Sequence, residues 1–185
     1  MKKIIIAIVI LFFANTSFSQ KYYTKTGQIN FDATSPSSPE KIEGINRSAT
    51  CVVDIKNGNM QFLALMKGFA FERALMEEHF NENYVESSKY PKAEFKGEIK
   101  NIDKVDFTKD GSFNVKVKGK LTMHGVSNDV ETDAKLVIQG GKIKANANFN
   151  VKLSDYNVSI PGLVADKVSK EAKINVSCTL ELLKS

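Results

Sequence analysis

Histidine and cysteine are scarce in this chain. Its 185 residues hold two histidines, His79 and His124, and two cysteines, Cys51 and Cys178. A zinc site wants three or four ligands at recognisable spacing, and two isolated histidines do not supply them. No G-x-S-x-G occurs, and neither cysteine neighbours a histidine. The nucleophile, base and orienting group of a hydrolase are therefore not visible as a motif. Arginine forms no cluster and the basic residues form no run, so the formal charge of +5 is a mild bias. Nucleic-acid binding has no support in such a pattern. The aromatic residues are mostly phenylalanine, which suits an apolar interior better than base stacking.

Long apolar runs are also missing. Ile4–Ala14 is too short to span a bilayer comfortably. Lys2-Lys3 precede it, and small residues at Ser17 and Ser19 follow, as in a secretory signal peptide cut before Gln20. No cysteine comes next to carry a lipid anchor. Residues 1–19 are thus expected to be a signal and residues 20–185 one domain, soluble, and periplasmic or secreted. Removing the signal takes away two lysines and no acid, which lowers the net charge by two.

What the chain does contain is alternation. Residues 22–32 read as a first strand, and the polar stretch 34–46 as a connection. Ala49–Lys56 is a second strand, and Asn57-Gly58 a hairpin signal. Asn59–Lys67 follows as the third. Met60, Phe62, Ala64 and Met66 share one side of it, while Leu63 and Leu65 make the other side apolar too. Lys92–Lys100 is the fourth. Phe113, Val115 and Val117 open the inner row of the fifth, which continues through Gly119, Leu121 and Met123. Val130, Thr132, Ala134, Leu136 and Ile138 line the sixth. After Gly140-Gly141, Ile143, Ala145, Ala147, Phe149, Val151 and Leu153 line the seventh. The eighth carries Ile174, Val176, Cys178, Leu180 and Leu182. Eight strands, mostly joined by short turns, favour an all-β antiparallel barrel, because closure removes exposed edges. A two-sheet sandwich is the competing solution. Ala93, Gly97, Gly119, Ala134, Ala145 and Ala147 are small inward residues. They leave room for a cavity, or they simply taper a filled core; the pattern alone does not choose.

Residues 75–97 break the alternation. Phe71, Leu75, Glu78, His79 and Glu82 fall at three- and four-residue spacings, which predicts a short helical crossover between the third and fourth strands. Pro91 holds Tyr90 extended and ends it. The crossover is the candidate cover for the outer face at Leu63 and Leu65. Glu77, Glu78, Glu82 and Glu86 read as a solvated face. Lys89, Lys92 and Lys96 read as outward strand positions, or as partners for an anionic head group near the barrel mouth. Asp155-Tyr156, followed by Pro161-Gly162, reads as a structured loop before the eighth strand.

The run from Glu78-His79-Phe80 through Tyr84-x-Glu86-Ser87-x-Lys89-Tyr90-Pro91-x-Ala93-x-Phe95-Lys96-Gly97 resembles the YceI-like, polyisoprenoid-binding family. Gly119-Lys120-Leu121-Thr122-Met123-His124-Gly125-Val126 is similar to that family's second signature. The likeness runs from about Gly27 to the C-terminus. It implies an eight-stranded lipocalin-like barrel that holds a long apolar chain. Many members carry a histidine-serine pair in the first strand. Here Asn30-Phe31-Asp32-Ala33-Thr34-Ser35 stand there, so the implied barrel carries over more strongly than the implied ligand.

The expectation is then an exported, non-enzymatic protein that holds an isoprenoid or fatty-acid derivative. The partner is a long-chain apolar small molecule, with dimerisation left open. No nucleic acid, membrane span, cofactor or metal is expected. Phe62, Ala64 and Met66 on the third strand, Phe71 and Leu75 at the crossover, and Phe95 on the fourth would line the site. Phe113, Val115 and Val117, then Ala134 and Leu136, then Ala145, Ala147 and Phe149 would complete it. His79 is expected to bond backbone at the rim and His124 to occupy a turn. A hydrolase using either as general base is one alternative, and a solid-core interaction module is another. The cysteines are expected to be free, inward thiols. Two strand spacings, about 9.6 Å, would separate them, against the roughly 7 Å limit for a disulfide.

Overall fold

A computed structural model describes residues 20–183. The expected signal peptide lies outside the described residues. Nine strands occupy eight positions of a closed antiparallel barrel. They are β1 (Lys21–Thr34), β2 (Glu43–Asp54), β3 (Asn59–Leu65), β4 (Phe69–Phe71), β5 (Lys92–Ile99), β6 (Gly111–Met123), β7 (Val126–Gln139), β8 (Lys142–Lys152) and β9 (Val168–Leu182). Neighbours follow chain order, except that β3 passes directly to β5, and β1 pairs with both β2 and β9 to close the ring. One short helix, α1 (Ala74–His79), begins the crossover between β4 and β5. The barrel reading therefore holds, and the sandwich does not.

The expected turns form for backbone reasons. Gly58, Gly140 and Gly141 all adopt positive φ, where a side chain is strained. His124 and Gly125 close the β6–β7 hairpin with φ of 51° and 76°, the sign that a two-residue hairpin turn requires at both central positions. Outward positions on β6 and β7 carry opposite charges across the ladder. Lys116 meets Asp133 at 3.0 Å and Lys120 meets Asp129 at 3.0 Å. Such exposed pairs add only about 0–1 kcal/mol each; their larger effect is to keep that face in water.

The third barrel position departs from expectation. It is not one strand over Asn59–Lys67. β3 stops at Leu65, a tight 3-10 turn takes Met66–Gly68, and β4 resumes the pairing against Gly44–Asn46 of β2. Likewise β2 starts at Glu43, inside the stretch expected to be a connection. Asn46 is the cause of both. Its side chain is wholly buried. Its Nδ2 donates to the Leu65 carbonyl at 2.9 Å, and its Oδ1 accepts from the Ser48 backbone N–H at 2.8 Å and from the Ser48 hydroxyl at 3.1 Å. A polar residue thus takes an inward ladder position because every group it brings is bonded. Gly68 makes the space, since a Cβ there would lie 2.7 Å from Asn46 Nδ2.

The interior divides by level. At the end bearing Gly58 and Gly140-Gly141, Val53, Ile99, Val115, Leu136, Ile138 and Leu180 belong to one buried cluster. At the other end Ile29, Ala49, Met66, Phe69, Phe80 and Val85 gather beneath the crossover. Ala33, Val151, Leu153, Tyr156 and Ala172 fill the wall beside them. Removing the buried amide tests the role given to Asn46. Asn46→Leu should lower stability by about 1–3 kcal/mol, read as a fall in the urea midpoint at unchanged slope. A variant as stable as the parent would show that the break in the third position does not depend on this side chain.

Candidate functional site

A cavity of about 500 Å³ runs through the middle of the barrel, with walls that are almost wholly apolar. Its size lies within the roughly 300–1,000 Å³ typical of sites that enclose a small molecule. Ala134, Ala145, Ala147 and Phe149 line it from β7 and β8, and Phe62, Ala64, Ala93 and Phe95 from β3 and β5. Ala145, Ala147 and Phe149 point inward yet stay only half-buried. Inward residues keep accessible surface when nothing packs against them, so the alanines here mark space.

The two inward glycines mark something else. Gly97 and Gly119 face each other across β5 and β6. A Cβ on Gly97 would meet the Lys118 carbonyl oxygen, and one on Gly119 the Lys96 carbonyl oxygen. The Phe95 ring lies 2.6 and 2.7 Å from those two positions. The expectation that these glycines open the tunnel is corrected: they let two backbones and one ring close up, and neither lines the cavity.

Of the residues expected at the site, Met66, Phe71, Leu75, Val117 and Leu136 also border the cavity. Phe113 and Val115 do not. They lie further toward the closed end, where Val115 is buried in the packed core and Phe113 leans against it. Alternation places a residue on the inner face correctly but carries no information about its height along the barrel. Lys89, Lys92 and Lys96 are solvent-exposed and none lines the cavity. Apart from Thr132 and Asn146 on the β7–β8 wall and Tyr84 of the crossover, the polar side chains that border it gather at the mouth. There Arg73 Nη1 donates to Glu40 Oε1 at 2.7 Å, and Ser38, His79 and Lys167 stand nearby.

An aromatic cluster closes this end. Phe80 centres it, with ring centroids 4.9 Å from Phe71, 5.5 Å from Phe69 and 5.7 Å from Phe31. Sequence spacing missed Phe80, Phe69 and Phe31. It assumed 3.6 residues per turn throughout, whereas α1 passes into a wider π turn at Phe80–Tyr84, where the Val85 N–H donates to the Phe80 carbonyl. The wider turn shifts the phase. Phe80 and Val85 face inward, and Leu75 and His79 stay exposed. The crossover therefore caps the barrel end. It does not cover the outer face of β3, and Leu65 remains 55% exposed. Tyr84 also borders the cavity. Burial pushes its phenol above the ordinary value, so it presents a neutral hydroxyl.

His124 ties the crossover down. Its Nδ1 lies 2.9 Å from the Tyr156 carbonyl oxygen and its Nε2 2.8 Å from Glu86 Oε2. The carbonyl only accepts, so Nδ1 carries a proton. The bond to Glu86 then needs a second proton, on the ring or on the carboxyl. Tyr90 packs edge-on against the imidazole at 4.7 Å. A Cβ on Gly125 would strike the Tyr90 ring at 2.7 Å, which explains the glycine beside this histidine. Both ring nitrogens are engaged, and His124 does not line the cavity. Glu86, expected on a solvated face, is its partner. Among the described residues no group of three or more His, Cys, Asp or Glu side chains converges to hold a metal.

Comparison with known proteins agrees with this geometry. The family model described as a YceI-like domain matches residues 12–180. A polyisoprenoid-binding domain from Saccharophagus degradans, implicated in plant cell wall breakdown, superposes with a TM-score of 0.77 at 13% identity, covering 89% of this chain and 99% of that one. BcnA of Burkholderia cenocepacia gives 0.66 at 17% identity, with 83% and 95% covered. The YCEI protein of Campylobacter jejuni gives 0.53 at 21%, with 75% and 81% covered. At these identities the likeness is one of fold. No curated protein sequence matches this one.

The cap separates two neighbouring residues energetically. Phe80→Ala should cost about 3 kcal/mol or more, as loss of a buried ring does. Leu75→Ala, on the exposed side of α1, should stay within about 0.5 kcal/mol of the parent. Thermal denaturation of the two variants checks this, and equal losses would mean that the crossover packs by α1 after all.

Proposed function

The chain belongs to the YceI-like domain family, and on that premise we propose that it is an exported binding protein which holds a long apolar chain, an isoprenoid or fatty-acid derivative, inside its barrel. The observation that carries this is the apolar cavity beneath the crossover. Each methylene moved from water into such a site contributes roughly 0.8 kcal/mol, so a long chain binds well with no catalytic group. The polar mouth at Ser38, Glu40, Arg73 and Lys167 suits a ligand with one polar end. The Saccharophagus relative is described as polyisoprenoid-binding, and the apolar walls of this chain's cavity suit a ligand of that class.

No observation favours the hydrolase. His124 is held on both nitrogens by structural partners. His79 shares the mouth with Ser38 and Glu40, but the Ser38 hydroxyl donates to the Glu40 backbone carbonyl and the Glu40 carboxylate accepts from Arg73, so neither is aligned on the imidazole. A solid-core module would have no use for half-buried inward alanines. Export rests on the features of residues 1–19, namely Lys2-Lys3, Ile4–Ala14 and the small residues at Ser17 and Ser19. Intact mass of the exported protein should correspond to a chain beginning at Gln20, and retention of residues 1–19 would defeat that part.

Filling the cavity tests the rest. Ala147 sits mid-strand on β8, paired with Ala134 on one side and Val176 on the other. Ala147→Phe should expel lipid that co-purifies from the native host, while the lipid-stripped protein keeps nearly the stability of the stripped parent. In a filled core the same change would overpack and cost typically about 1–3 kcal/mol. Native mass spectrometry reads the lipid and thermal denaturation the stability. A large loss of stability, with no lipid in either protein, would place the function on the outer surface.

A further inference from the structure

Among the described residues the two most exposed large apolar side chains are Leu163, at 94%, and Leu75, at 61%. They lie far apart in the chain but at the same end of the barrel. Leu163 tips a tight turn, Gly162–Val164, in the loop between β8 and β9. Val164 and Lys167 of that loop border the cavity, and so do Leu75 itself, Arg73 and Met76. The loop between β1 and β2 ties the two segments together. On one side the Ser35 N–H donates to the Lys167 carbonyl at 3.0 Å, and the Ser37 hydroxyl to the Asp166 carbonyl at 2.7 Å. On the other side Glu40 accepts from Arg73. Both leucines therefore stand on one rim around the cavity mouth. The loop that bears Leu163 is built for an apolar setting. Residues 157–165 carry no charge. The Val164 N–H donates to the Pro161 carbonyl at 3.0 Å, and the Lys167 N–H to the Val164 carbonyl at 3.0 Å. Backbone groups that are already paired leave water at little cost. A Cβ on Gly162 would meet no atom within 4 Å, so nothing in the chain shields the tip.

We propose that this rim docks on a phospholipid bilayer, with Leu163 and Leu75 entering the lipid, so that an apolar cargo passes between membrane and cavity without crossing water. A single exposed leucine is ordinary on a protein surface; here it is the placement that matters. Both stand where a cargo enters, and a long apolar chain is held in lipid rather than dissolved in water. A protein partner fits the rim less well. An aromatic side chain buries about 150–250 Å² and a leucine less, so the two fall well short of the roughly 800 Å² that each side of a standard protein interface buries. A fluid phase needs no matching surface, and two projecting tips suffice to enter it. The charges of the rim are close to balanced. Arg73 pairs with Glu40 and Lys41 with Glu43, and Asp166 precedes Lys167. Docking therefore rests on the apolar tips and not on attraction to anionic lipid. A single acyl chain already gives only marginal, reversible membrane binding. Two leucines bury less, so the contact is transient, as delivery of a cargo requires. Docking of this kind rests on the apolar-cargo reading of the cavity, but its test needs no cargo.

The chain has no tryptophan, so one placed at the rim reports its surroundings alone. Leu163→Trp carries it at the loop tip. Leu182→Trp carries it on another exposed leucine at the opposite end, where β9 finishes beside the start of β8. The folded mature variants are mixed with phosphatidylcholine vesicles, with no ligand added. Emission of Leu163→Trp should move to shorter wavelength, and bromine carried on the acyl chains should quench it, at low and high salt alike. Leu182→Trp should show neither effect. Sedimentation with the vesicles gives a second measure that adds no aromatic ring. Leu163→Ser should weaken it roughly tenfold or more, as loss of one buried leucine does. Leu182→Ser should leave it unchanged. Thermal denaturation should be the same for all four variants and the parent, because both positions are exposed. Unshifted emission from Leu163→Trp, an equal shift in both tryptophan variants, or sedimentation that Leu163→Ser does not weaken would overturn the proposal. So would a shift that follows protein concentration without vesicles, since a second copy of the chain would then cover the rim. Docking by a protein that holds no lipid from its host would uphold the surface and refute the reading of the cavity.

Discussion

The pairing of β1 with β2 on one side and β9 on the other is the constraint on which the remaining structure depends. It removes the last free edge, so the inward side chains of all the strands share one enclosed interior. A ring of eight positions leaves an interior wider than its smaller inward residues can fill. What happens inside then depends on side-chain volume level by level. Val53, Ile99, Val115, Ile138 and Leu180 are large enough to meet at one end. Ala134, Ala145 and Ala147 are not, and the cavity lies where they are.

β1 closes the ring at the expense of regularity. Its ladder slips on both sides, and the interior responds there. The flanking strands β2 and β9 come into contact across it. The third position is irregular too, for a different reason. Asn46 satisfies the break between β3 and β4 with its own amide. Both irregularities are stabilised by short polar side chains bonded to nearby backbone, Thr24 in one case and Asn46 in the other. In a low-dielectric interior such groups persist only because none of their bonds is left open.

The crossover follows from the same closure. A closed barrel with a hollow middle exposes apolar surface at its open end. Phe80 covers that surface from a π turn, and His124 fastens the far side of the crossover through Glu86 and Tyr156. This gives the two recognisable stretches of the chain one shared task. Glu78–Gly97 supplies the cap ring Phe80 and the carboxylate of Glu86, and Gly119–Val126 supplies the histidine that grips it. The cap packs by one ring and one latch rather than by a whole helical face.

Much of this was legible without coordinates. Period-two alternation is a local property, so most strands, their inner faces and the Asn57-Gly58 and Gly140-Gly141 turns can be read from residue types alone, whereas they favour closure over a sandwich without deciding it. The small inward residues are visible in the row too, but whether they enclose a cavity or taper a filled core is not. Three things are decided only by tertiary structure. Height along the barrel separates Val117, which lines the cavity, from Val115, which is packed below it, although both share one face. Backbone approach decides whether a small residue makes space or removes it, and so divides the alanines from Gly97 and Gly119. Ladder slips and the π turn change phase where no residue type announces it. They bring Phe80 inward and bring β2 into contact with β9, because a shift of one residue in pairing moves a side chain by more than any propensity records.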